Sequence, residues 1–164
     1  MKADIDAALI ALFEWDPAAE ERLTGFGPEA FHRVLELYHE RPADYPERLI
    51  ELMSAMGREA LDHWSHAIAI VAYANPGLYV DQLSEPLRTL DAVILGTIED
   101  ERVVEILGRA LDHDDWLVRY HTVRSLGKRP EHQARQHLQR ALRDVEEMVT
   151  DEARVALEGP GELP

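Results

Sequence analysis

Apolar and small residues in the C-terminal half of this chain return at a spacing of 31. Leu87, Val118 and Val149 stand 31 apart, and so do Leu95, Leu126 and Leu157. Leu107 pairs with Leu138, Ala110 with Ala141, Leu111 with Leu142, Arg88 with Arg119 and Gly96 with Gly127 at the same interval. A unit of this length is a two-helix hairpin. One hairpin cannot bury its apolar face alone, so neighbours must stack to make a core. The register does not run cleanly back: Trp64 lies 23 residues before Leu87, so any earlier hairpins have drifted or carry a deletion.

Within and around the repeats the apolar positions recur at three and four, and no stretch sustains strand alternation. Asp16-Pro17 and Gly27-Pro28 read as helix starts with proline in the first turn. Asp44 to Glu47 and Asp144 to Glu147 have the spacing of capping boxes. Asn75-Pro76-Gly77 and Gly127 with Pro130 read as stops. The expected helices are 4–15, 17–24, 28–40, 46–57, 59–74, 78–83, 86–97, 100–112, 115–127, 131–143 and 145–158. The expected fold is all-α, an α-α superhelix of stacked hairpins. It forms a single domain over 1–158, with divergent helices over 1–60 and a flexible tail over 159–164, Gly-Pro-Gly-Glu-Leu-Pro.

Composition narrows the function classes. There is no cysteine, which removes disulfides, thiolate metal sites and thiol nucleophiles. The apolar runs Ala7 to Phe13 and Ala67 to Ala74 fall short of the roughly 20 residues of a membrane span. Acidic Asp4 and Asp6, rather than a basic segment, precede the first of them. The expectation is a cytoplasmic protein without a membrane partner. Net charge is −15, a field that repels phosphate backbones and argues against nucleic acid. The charge is uneven: residues 1–101 carry 20 acids and 7 bases, 102–144 carry 6 and 9, and 145–164 carry 6 and 1. The middle block reads as a mixed surface or as a basic strip used for contact.

The string from Ala110 to Gly127, ALDHDDWLVRYHTVRSLG, resembles the HEAT-like repeat associated with phycobilisome lyases. Asp112 and Asp114 stand at the turn, Val118-Arg119 follow, and Leu126-Gly127 close the second helix. The resemblance covers roughly residues 80–158 and implies a HEAT-like solenoid. It also implies that a turn aspartate, Asp112 or Asp114, pairs with Arg88 or Arg119 between repeats. Such repeats serve scaffolds, inhibitors and enzymes alike, so the resemblance fixes fold rather than function.

No constellation carries chemistry. His32, Glu36 and His39 lie at i, i+4 and i+7, a spacing that can present metal ligands. The His39-Glu40 step resembles a ligand step of deoxyhypusine hydroxylase, a HEAT-repeat enzyme. That family needs several such steps and this chain has one, so a solvated helix face is the better reading. Asp62 and His66 are spaced for a surface ion pair; with Tyr73 they are candidates for the groove of the solenoid. Trp15, Trp64 and Trp116 read as packing residues. No serine sits in a nucleophile elbow and no glycine-rich phosphate loop is present. No catalytic residue, metal or cofactor is therefore expected.

The leading expectation is a non-enzymatic protein-binding module, with another protein as its partner. An inhibitor or immunity-type protein is its specific form. The contact residues would be Arg88, Arg119, Tyr120 and Arg124 along the second helices, with Asp62, His66 and Tyr73 as further candidates. The alternatives are a chromophore-handling lyase, implied by the resemblance alone, and a HEAT-like DNA-repair protein, which the acidic charge disfavours.

Overall fold

The computed structural model describes residues 1–159, and within them every regular element is an α-helix. They are α1 (Lys2–Phe13), α2 (Ala19–Gly25), α3 (Pro28–His39), α4 (Glu47–Met56), α5 (Glu59–Ala74), α6 (Pro76–Gln82), α7 (Thr89–Leu95), α8 (Val103–Ala110), α9 (Trp116–Leu126), α10 (His132–Ala141) and α11 (Glu147–Glu158). Each coincides with an expected segment, its ends displaced by at most three residues. Past Gly159, the expected tail lies outside the described residues. The helices group into two compact units, Met1–Leu78 and Tyr79 onward, where the sequence reads as one domain over 1–158.

In the first unit, α5 is the long apolar helix against which α1 to α4 pack. Its Trp64 meets Phe13 edge-on at 5.2 Å between ring centroids, with Tyr38 at 5.6 Å. Leu9, Leu23, Phe31, Leu49 and Ile68 complete a core closed to solvent. One charge is buried beside it. Arg33, on α3, gives two hydrogen bonds to the Asp6 carboxylate at 2.7 and 2.8 Å, one to Glu36 at 2.8 Å, and longer ones to the Asp44 side chain and carbonyl. Lys2 closes the cluster on Glu36 and Asp44. This explains why Asp44 does not cap α4, which begins after Pro46 without a side-chain cap. Trp15 departs from the expected packing role. Just past α1 it takes a left-handed backbone, φ +63°, and stands 74% exposed with its ring edge-on to His63 at 4.6 Å.

The second unit is a two-layer stack. Helices α7, α9 and α11 pack in sequence as one layer, α8 and α10 form the other, and α8/α9 and α10/α11 are the hairpins. The 31-residue register has a steric cause. Gly96 and Gly127 end α7 and α9 in ordinary right-handed backbone, so neither is a left-handed cap. They are glycine because the next helix of the layer comes too close. A methyl on Gly96 would meet the Ser125 Cβ at 2.9 Å, and one on Gly127 would meet the Ala156 Cβ at 2.9 Å. Ser125 and Ala156 are themselves 31 apart. The buried Ser125 hydroxyl also donates to the Ala92 carbonyl at 2.7 Å, joining α9 to α7. Arg129 crosses the same seam to the carbonyls of Leu95 and Ile98 behind α7.

Candidate interaction face

The repeat register sorts α9 into two sides. Val118, Thr122, Val123, Ser125 and Leu126 point into the stack and are buried. Trp116, Tyr120 and Arg124, at successive i+4 positions, lie on the solvent side. Their rings and guanidinium touch in a line. Trp116 and Tyr120 are 6.4 Å apart in a T-shaped arrangement, and the Arg124 Cζ stands 5.9 Å from the Tyr120 centroid. Arg124 also reaches Glu152 of α11 at 3.6 Å. Beside this line, burial and then Arg124 push the His121 imidazole below its ordinary value. Moving 31 residues either way places Val93 and Val155 level with Arg124, and both are exposed apolar side chains. The same step places Thr89 and Asp151 level with Tyr120. The face is therefore an aromatic–arginine ridge on the middle helix, flanked by aliphatic positions on its neighbours.

Arg119 lies inside the stack, not on this ridge. It is 9% exposed and fully engaged: Nε and Nη2 donate to Asp144 at 2.7 and 2.9 Å, and Nη1 donates to the carbonyls of His113 and Asp114. The inter-repeat arginine–aspartate pair thus exists, but the aspartate is Asp144 rather than Asp112 or Asp114. The reason is positional. The arginine leans toward the turn of the following hairpin, and the residue that arrives there is Asp144. One repeat earlier that position is His113. His113 keeps the local turn, since its Nδ1 accepts from the Asp115 N–H at 2.9 Å just as Asp144 accepts from Glu146. It offers Arg88 no carboxylate, and Arg88 instead holds Asp91 at the start of α7. Burial pushes the Asp91 carboxyl up, but hydrogen bonds from the Arg88 side chain and backbone and from Tyr79 outweigh it and leave the group below the usual range.

The Arg119 guanidinium likewise holds Asp144 below its ordinary value of 3.8. A carboxylate with a depressed folded pKa contributes its stabilisation above the unfolded value and loses it as pH falls through the folded one. Asp144→Asn should therefore cost roughly 1.5–3 kcal/mol at pH 7. The deficit should shrink as pH drops below about 4, where the unfolded carboxylate takes up its proton first, and vanish once the folded Asp144 is protonated as well. Urea unfolding at both pH values checks this, and a deficit independent of pH would show that the charge is immaterial.

Asp62, His66 and Tyr73 share an exposed face of α5 in the first unit. His66 is not paired with Asp62; its Nε2 meets Glu20 of α2 at 2.9 Å. These three belong to the first unit and the ridge to the second. Glu36 is held by Arg33 and Lys2, which takes it from the His32–His39 face. Among the described residues no three His, Asp or Glu side chains gather as a metal set, and no helix is long and apolar enough to cross a membrane. Sequence reasoning missed Trp116, Val93 and Val155. Trp116 was recoverable from its i+4 relation to Tyr120, and the valines from adding 31 in each direction to Arg124.

Stacked hairpins with a regular register define a helical-repeat protein. Residues 84–158 match the family model described as HEAT repeats. The match is to HEAT repeats in general and does not single out the phycobilisome-lyase type. No curated protein and no solved structure matches the chain. HEAT repeats commonly serve as protein-interaction modules.

Proposed function

We propose that the second unit is a non-enzymatic protein-binding module that holds its partner on the exposed face of α7, α9 and α11. The observation that carries the reading is the Trp116–Tyr120–Arg124 ridge. These are the residue types that most often dominate binding energy once a partner encloses them, and here the core does not need them. The charge of −15 favours a partner with a basic surface, the situation of an inhibitor or immunity-type protein that covers its target. Affinity purification followed by calorimetric titration tests the face. Tyr120→Ala combined with Arg124→Ala should weaken the partner by more than about 2 kcal/mol while leaving the melting temperature near wild type. Arg119→Ala should do the opposite, lowering the melting temperature and sparing affinity. Unchanged affinity in the double variant would retire this face.

A further inference from the structure

Two clefts open between successive elements on the turn side of the second unit, one repeat apart, and they differ in their charges. The first is lined by Glu85, Leu87, Arg109, Ala110 and His113, with a volume of about 180 Å³. The second, of about 300 Å³, is lined by Leu111, Asp112, Arg119, Arg140, Arg143 and Asp144 among others. Arg109 and Arg140 are register mates, as are Ala110 and Ala141. In the first cleft the Glu85 carboxylate lies against Arg109, Nε to Oε1 3.4 Å. The residue 31 after Glu85 is Trp116, so the second cleft has no such glutamate.

The second cleft also holds more cation. Arg143 stands where its predecessor has Asp112. Arg143 is exposed and has no ion-pair partner among the described residues. Arg140 donates through Nη2 to the Gly108 carbonyl and reaches the largely solvated Asp112 carboxylate of the same cleft at 3.6 Å. Asp144 is already bound through both oxygens to Arg119. At the rim, Val145 is 93% exposed.

We propose that this second cleft receives an acidic segment of a partner protein. A glutamate or aspartate carboxylate would lie between Arg140 and Arg143, on the side of Arg140 away from Asp112. An aliphatic neighbour would cover Val145. The surface is separate from the ridge on α9. The donors call for a carboxylate, and the apolar rim calls for a polypeptide around it rather than a free anion.

The test is an amide chemical-shift titration of the full chain with acetyl-Glu-Leu-Glu-Leu-Glu-amide and with its glutamine counterpart. Shifts should centre on Arg140, Arg143 and Val145, and the glutamine peptide should bind at least about tenfold more weakly. Arg143→Gln should weaken the acidic peptide about as much, and Arg143→Lys less. Neither variant should change the melting temperature, because Arg143 supports no folded contact. Equal binding of the glutamine peptide, shifts centred elsewhere, or an unaltered Arg143→Gln variant would overturn the proposal. Glutarate binding as tightly as the peptide would also overturn it, by showing a small-anion site. So would self-association abolished by Arg143→Gln, which would make the occupant a second copy.

Discussion

Replacing Leu126 with alanine is expected to lower the stability of the second unit by roughly 2–5 kcal/mol. Leu126 is fully buried on α9, the helix that contacts α7, α8, α10 and α11. A cavity there opens at the centre of the stack rather than at its margin. The neighbouring helices are held apart at fixed spacing by Gly96 against Ser125 and Gly127 against Ala156, so the site has little freedom to collapse. Glu131→Ala, at an exposed position ahead of α10, is the matching control and should lie within about 0.5 kcal/mol of wild type. Urea midpoints decide it: equal midpoints for both variants and wild type would mean that the register places the wrong residue in the core.

Arg33→Met should be comparably severe in the first unit, at roughly 3–5 kcal/mol near neutral pH. Methionine keeps much of the buried stem but removes the buried charge that holds Asp6, Glu36 and Asp44 together, with Lys2 left at the surface. The Arg33 hydrogen bond depresses the Glu36 carboxyl most, and the Lys2 hydrogen bond with Arg33 behind it depresses Asp44. Stabilisation of this kind is present above the ordinary carboxylate range and is lost as acid protonates the group. In the variant the carboxylates repel instead, so its deficit should narrow as pH falls toward 4. Chemical denaturation at pH 7 and pH 4 measures both arms. A small deficit at pH 7 would mean that the cluster contributes no more than an exposed ion pair does.

The helices were legible because their signals are local: apolar spacing at three and four, and prolines and glycines at the ends. The stack was legible because 31 recurs. What was not legible depends on which distant residue arrives at a given point. Gly127 reads as a helix stop, and it is one. Its identity, however, is set by Ala156, 29 residues on, rather than by a left-handed turn. Asp44 has the spacing of a cap, yet Arg33 and Lys2 take its carboxylate first. The inter-repeat salt bridge was expected in kind, but its aspartate lies in the following turn, and His113 breaks the series one repeat earlier. Trp15 reads as core, and one residue of left-handed backbone turns it outward. For the candidate face, Tyr120 and Arg124 followed from helical geometry alone. Trp116 needed the same geometry applied one turn further.

The close approach of Gly96 to Ser125 and of Gly127 to Ala156 has a bearing on how such a module can diversify. Those four residues and the buried leucines fix the distance between helices, while Val93, Trp116, Tyr120 and Val155 on the same helices take no part in doing so. Exposed positions away from caps and seams tolerate exchange at a cost within about 0.5 kcal/mol. On the proposed reading, the binding face can therefore drift toward a new target, one side chain at a time, without passing through a sequence that fails to fold.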